Sequence, residues 1–224
     1  APTIAPSAGY DPVRDFAPIS LTCKAPMFME VHPSVPARTV AELMAIAKAK
    51  PGYVSSANSG NGSTGHMAGE VFASRAGIKL LNVFYKGSAQ AVLDVISGQA
   101  MLMFDQISTS GPYVRSGKLR ALATASAQRA RGLPDVPTFA ELGYADFEVD
   151  ARYGLVAPAG VPRDILNKLS AAVAKAAQSP DLKERYAALG LEAVSSTPDQ
   201  YADYVRRDIA KWRKVVAAAK IKPQ

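Results

Sequence analysis

Along the chain, stretches of strand character alternate with stretches of helical period, which argues for a layered α/β architecture. Residues Phe16–Val31 (FAPISLTCKAPMFMEV) are largely apolar and contain Pro18 and Pro26, so the segment is predicted extended rather than helical. After the turn-rich HPSVPA, Thr39 is expected to cap a helix, with Glu42 at capping-box spacing and Val40, Leu43, Met44 and Ala47 on one face. Pro51-Gly52 ends it. A strand at 53–56 leads into SANSGNGSTG and a helix carrying Met67, Val71 and Phe72. A strand at 80–85 precedes a helix with Ala89, Val92, Leu93 and Ile96 on one face. A short buried strand at 101–104 ends at Asp105, and a further strand is expected at 119–124.

Residues 128–146 are loop-rich, and 147–157 read as extended. The rest is mostly helical. Pro162 stands near a helix start, and Ile165, Leu166, Leu169 and Val173 form an apolar stripe behind it. Leu182, Tyr186 and Leu189 mark another helix, closed by Gly190. Thr197-Pro198-Asp199-Gln200 is a second capping box with proline at the first helical position. It opens a long helix expected to turn Tyr201, Tyr204, Val205, Ile209, Trp212 and Val216 inward. Two extended segments, 16–31 and 147–157, thus flank a compact βα region. Such an order gives one body from the middle of the chain and one from its two ends, the layout of a hinged, cleft-forming protein.

Composition narrows the classes without choosing among them. The 224 residues are 48% hydrophobic and 20% charged, a globular balance rather than a disordered one. No uncharged apolar run approaches the roughly 18 residues that would span a bilayer. Cys23 is the single cysteine, which excludes an internal disulfide, and His32 and His66 match no zinc motif, so no metal site is expected. The net charge of +7 is compatible with anionic ligands. The densest basic group, Arg206, Arg207, Lys211, Arg213 and Lys214, is interleaved with Asp203 and Asp208, which reads as a solvated helix face rather than a nucleic-acid surface. The opening APTIAPSAGYDPVRDF has no Met, charged n-region or apolar h-region; it is read as a chain whose signal peptide was removed or that starts inside a longer protein.

The sharpest chemical signal is Ser59-Gly60-Asn61-Gly62-Ser63-Thr64-Gly65-His66, placed between a predicted strand and a predicted helix. That context exposes backbone amides at a helix N-terminus, where anions bind; a glycine-rich turn with no ligand is the other reading. Gly60, Gly62 and Gly65 spell the dinucleotide fingerprint G-x-G-x-x-G, but the next strand ends Asn82-Val83-Phe84-Tyr85-Lys86 without the required acid. A phosphate-binding P-loop fails too, because His66 and Met67 occupy its Lys and Ser/Thr positions. No cofactor is therefore expected. Asp105 and Tyr85 stand at strand ends facing the ligand crevice of an open α/β sheet. Capping and packing are their alternative roles. His66 falls in the first helical turn, where packing or hydrogen bonding is the ordinary role.

These segments resemble a known family. Tyr10-Asp11-Pro12-Val13-Arg14-Asp15-Phe16-Ala17-Pro18-Ile19 is similar to a YDPxxDFxPI segment, SANSGNGSTGHMAGE to an S-x-G-x-GS/T-xx-H loop, and VFYKGSAQAVLDVISGQAMLMFD to a block running from V-x-YKG to GQ-x-x-x-x-FD. GKLRALA, LPDVPTFAELGY, YGLVAPAGVP and a terminal helix with Trp212 follow in the same order. The family is that of the extracytoplasmic solute-binding receptors of tripartite tricarboxylate transporters, the Bug or TctC proteins. The resemblance implies a type II periplasmic binding protein-like α/β fold with two lobes joined by two connecting strands. Residues 1–33 and 152–224 would form the first lobe, and 34–151 the second, inner lobe carrying the anion loop. The first lobe would be incomplete, lacking about 70 residues of a full two-lobe domain, with a PPGG-type loop among them. An uncovered edge of that kind predicts oligomerisation.

The resemblance further implies a periplasmic protein of a Gram-negative bacterium that performs no chemistry. It would capture a small organic carboxylate and deliver it to membrane permease subunits. On this chain Gly60, Asn61, Gly62, Ser63 and Thr64 would hold the carboxylate, with Tyr85 and Asp105 completing the site; nucleic acid is not an expected partner. Two departures from the pattern are Tyr153, where the family has tryptophan, and Met101, where it has aspartate. The competing functions are a ligand-sensing domain of a regulator and a dinucleotide-binding enzyme.

Overall fold

A computed structural model describes residues 9–145, 147–219 and 221. β1 (Phe16–Val31) is followed by α1 (Val40–Ala49), β2 (Ser55–Asn58), α2 (Thr64–Ala76), β3 (Leu81–Phe84), α3 (Ser88–Ile96), β4 (Leu102–Gln106), α4 (Ile107–Arg115) and β5 (Arg120–Thr124). Then come β6 (Asp150–Pro158), α5 (Arg163–Gln178), α6 (Pro180–Ala188), β7 (Glu192–Ala193) and α7 (Pro198–Ala218). The fold is mixed α/β, as the alternating pattern predicts.

Two compact units result. One is Ala25–Ala151; the other joins the chain up to Lys24 with the chain from Arg152 onward. The first crossing falls inside β1 rather than after residue 33, because Met27–Val31 hydrogen-bonds to β4 and β5. Pro26 stands before the first paired residue of each ladder, Met27 with β4 and Phe28 with β5, so its missing N–H removes no bond from either.

Within Ala25–Ala151 the strand order is β3-β2-β4-β1-β5, with β2 parallel to β3 and to β4, and β1 antiparallel to β4 and β5. The connection from β2 runs outward to β3, and the one from β3 runs back past β2 to β4. Right-handed crossovers in opposite directions put their helices on opposite faces of the sheet. The packing agrees. On one face, Phe72 of α2 and Phe104 of β4 meet Phe139 and Phe147; Phe104 stacks on Phe139 at 6.3 Å, and Phe139 lies 4.2 Å from Phe147 between ring centres. Each such pair adds about 0.5–1.5 kcal/mol beyond area burial. On the other face, Ala91, Val92 and Val95 of α3 pack on Ala57 and Met103, with Tyr113 and Val114 of α4 against the same cluster.

The α1 cap forms as its spacing predicts: Thr39 Oγ1 accepts from Glu42 N at 3.1 Å and Glu42 Oε2 from Thr39 N at 3.2 Å. The Thr197–Gln200 box at α7 does likewise. Three expected faces differ. In α3 the buried residues are Ala91, Val92 and Val95, while Leu93 is exposed, because Ala91 and Val95 are the positions that meet β2 and β4. In α5 Leu166, Ser170 and Ala177 are buried, and Ile165 and Leu169 are exposed. The apolar residues of α7 are half-buried rather than core; Pro198 is its buried residue. α4, which the periodicity does not announce because Gly111 and Pro112 interrupt it, follows directly on β4.

In the other unit β6 and β7 pair with β1, Cys23 opposite Ala193. Arg152 lies over the Tyr204 ring at 4.8 Å, Ser196 N donates to Ser20 Oγ at 2.9 Å, and Leu21 N donates to Ser196 Oγ at 3.0 Å. Among the described residues no helix is long and apolar enough to cross a membrane.

Candidate binding site at the carboxyl edge of the parallel strands

The parallel strands β2, β3 and β4 point the same way, so their carboxyl ends share one edge of the sheet. There α2, α3 and α4 begin. The loop after β2 leaves toward one face, and those after β3 and β4 toward the other; a reversal of this kind opens a crevice at the strand tips. Every residue singled out from sequence sits at this edge, the 60–64 loop after β2, Tyr85 after β3 and Asp105 in β4.

The loop spends some of its amides internally. Ser63 caps α2, its hydroxyl accepting from His66 N at 3.3 Å. Ser63 N donates to the Gly60 carbonyl at 3.2 Å, and Gly62 N donates to His66 Nδ1 at 3.0 Å. Thr64 and Gly65 are the first two residues of α2, whose amides lack intrahelical acceptors; neither makes another bond among the described residues. Gly62 lies at φ 74°, a left-handed conformation that favours glycine. Gly65 is required by contact, since a Cβ there would overlap the Phe104 carbonyl oxygen. The positive end of α2 is thereby pressed against β4.

Asp105 is buried at the end of β4, next to Phe104. Its Oδ1 accepts from Ser88 Oγ, the first residue of α3, at 3.1 Å, while its Oδ2 has no hydrogen-bond partner. Burial pushes its carboxyl up to about 6, opposed by the Gln106 amide and Ser88. The Tyr85 hydroxyl donates to Asp94 Oδ2 of α3 at 2.8 Å; burial and then that carboxylate push the phenol up to about 12. Tyr85 is thus turned along α3, and its backbone carbonyl lies next to Gly60.

The sequence reading passes over Glu30. It pairs with Met103 on β4, and Phe28 pairs with Asp105, so Glu30 and Asp105 share the sheet face covered by α3 and α4. Glu30 is fully buried with neither carboxyl oxygen in good hydrogen-bond geometry, the Ser110 hydroxyl being the neighbour that favours its charged form. Burial raises its carboxyl well above the ordinary value, and the Asp105 charge adds to this. The signal was present as one acid inside the apolar run MFMEV. Also missed was a chain of polar side chains behind the loop: Asn58 Nδ2 donates to Asn82 Oδ1 at 3.0 Å, and Asn82 Nδ2 to Glu70 Oε1 at 2.7 Å.

Chemically this edge offers unspent amides at a positive helix end, hydroxyls of Ser63, Thr64 and Ser88, and two buried carboxyls held toward their neutral forms. It is a donor-rich setting for an anion.

Comparison with known proteins identifies the family. The tripartite tricarboxylate transporter family receptor (TctC) matches residues 1–221. Protein BugT of Bordetella pertussis is 34% identical over 222 residues, covering 98% of this chain and 68% of that protein. A protein in the tcbD-tcbE intergenic region of Pseudomonas sp. (strain P51) is 34% identical over 212 residues, 94% of this chain and 63% of its own length. This chain therefore spans about two thirds of the length of these curated relatives. Among solved structures, R. palustris Rpa4515 with adipate is 32% identical with a TM-score of 0.91, covering 99% of this chain and 74% of that one. The periplasmic binding protein BugD is 32% identical with a TM-score of 0.88, covering 100% and 76%. MatC from Rhodopseudomonas palustris with bound malate is 29% identical with a TM-score of 0.85, covering 96% and 74%. The chain belongs to the family of tripartite tricarboxylate transporter receptors, the Bug/TctC solute-binding proteins.

Proposed function

We propose that this chain captures a small organic dicarboxylate in the periplasm and presents it to the permease subunits of a tripartite transporter, without chemical conversion. The observation that carries this reading is the pair of unspent amides at Thr64 and Gly65, on the helix end that abuts Phe104, at the same sheet edge as Asp105 and Ser88. A carboxylate seated there gains hydrogen bonds worth about 1.5–3 kcal/mol each and a helix-dipole contribution of about 0.3–1 kcal/mol. Two or three such contacts with the dipole total about 3–10 kcal/mol before ordering costs, so micromolar affinity, roughly −8 kcal/mol, draws on contacts with the rest of the ligand as well. The Gly60, Asn61, Gly62, Ser63 and Thr64 loop lines the carboxylate, held through the amides its internal bonds leave open, and Tyr85 and Asp105 border the remainder of the ligand. The two solved relatives with adipate and with malate support the substrate class.

Thermal unfolding of the protein with adipate, malate, succinate or NAD tests the reading. At a hundredfold excess over Kd a ligand stabilises by about 2.7 kcal/mol, so an upward shift with dicarboxylates and none with NAD is expected. Stabilisation by NAD alone, or by none of the acids, would overturn it.

A further inference from the structure

We propose that His66 is the positioning residue of the anion loop: its Nδ1 takes up the Gly62 amide and so decides which loop amides remain open to a ligand. This rests on the preceding reading for its functional meaning, but its structural content stands alone. The Gly62 amide donates to Nδ1 at 3.0 Å, so Nδ1 carries no proton and the ring proton sits on Nε2. Nε2 faces Glu70 Oε1 at 3.6 Å, one helical turn on. Glu70 Oε1 also accepts from Asn82 of β3, Asn82 accepts from Asn58 of β2, and Asn58 Nδ2 is anchored on the Ser56 carbonyl at 2.9 Å. The ring is buried and stands edge-on to Phe84 at 5.0 Å. A chain of polar contacts, hydrogen-bonded except at the 3.6 Å His66–Glu70 step, thus runs from the loop, through α2 and β3, back to the strand that launches the loop.

A loop with glycine at 60 and 62 is costly to order. Fastening its middle amide to a buried ring before ligand arrives removes part of that cost from binding. It also fixes the loop's direction. With the Gly62 and Ser63 amides taken up, those of Thr64 and Gly65 at the start of α2 remain open. Glu70 is the charged group facing the ring among the described residues; it favours the proton on Nε2. A proton on Nδ1 would set two donors against each other and undo the fastening.

The test is made on the whole protein by NMR and by adipate titration. Nitrogen shifts of the imidazole should show a bare Nδ1 and a protonated Nε2, and the Gly62 amide should exchange slowly. His66→Leu fills the space without an acceptor. It should speed Gly62 exchange and weaken adipate binding, each about tenfold, the worth of one hydrogen bond. His66→Asn, which restores an acceptor near the Nδ1 position, should recover most of both losses. A proton found on Nδ1, or unchanged Gly62 exchange in His66→Leu, would overturn the proposal. Should wild-type protein ignore adipate, the dicarboxylate reading fails while Gly62 exchange and the tautomer still decide the role of His66.

Discussion

The Cα of Gly65 rests against the carbonyl oxygen of Phe104, so close that a methyl group at 65 would overlap it. Backbone of helix and strand are in direct contact, and neither can give way as a side chain would. Gly65→Ala should therefore destabilise the protein by about 1–3 kcal/mol or more. Gly69, one turn further on, has only ordinary contacts at 3.8–3.9 Å around a built Cβ. Gly69→Ala should stabilise by about 0.5–1 kcal/mol through helix propensity. Urea unfolding of the two variants should give opposite signs.

The donor role of the α2 terminus can be separated from its fold. Ser63 lies at φ −61° and ψ 158°, a conformation compatible with a following proline, and proline is well accepted at the first helical position. Thr64→Pro deletes one amide donor and leaves the cap intact. Dicarboxylate affinity should fall about tenfold to a hundredfold, the worth of a hydrogen bond to a charged group. Unfolding free energy should stay within about 1 kcal/mol. Thr64→Ala, which keeps the amide and removes the hydroxyl, apportions the loss by calorimetry.

The buried acids give stability a definite pH dependence. Asp105 and Glu30 both hold their protons to higher pH when folded than when unfolded. Between the unfolded value and the folded one the native state binds more protons, so stability falls as pH rises. For Asp105 the window runs from 3.8 to about 6, and the loss across it is about 3 kcal/mol. Glu30 loses stability from 4.5 upward. Glu30→Leu should remove its share, so that the variant gains on wild type steadily from pH 4.5 to 7 in chemical unfolding. A constant difference across that range would contradict the assignment.

Ser88 Oγ is the hydroxyl that holds Asp105 Oδ1, at 3.1 Å, and it lowers that carboxyl against the effect of burial. Ser88→Ala should move the Asp105 titration upward, as read from its side-chain carbon shift. An unmoved titration would show that the hydroxyl does not reach the carboxylate in solution.

How far the sequence could be read follows from which interactions are local. The caps at Thr39 and Thr197 are bonds between residues three apart, and both were legible. The extended run Phe16–Val31 was legible because its prolines exclude a helix. The Gly-rich turn stood out by composition, but which of its amides are free depends on His66, a neighbour only once α2 has formed. Glu30 and Asp105 lie on separate strands, and only the β1–β4 register puts them on one face. The face of α3 was misjudged because it is set by Ala57 and Met103 above it rather than by the helix's own period.

The opposed crossovers have an evolutionary consequence. The cradle after β2 belongs to one helical layer, while Tyr85, Ser88 and Asp105 belong to the other. The two layers meet at the same strand tips, where Gly60 lies beside the Tyr85 carbonyl. On the proposed reading, a lineage could keep the carboxylate cradle of one layer and rewrite the opposite bank to suit a new cargo.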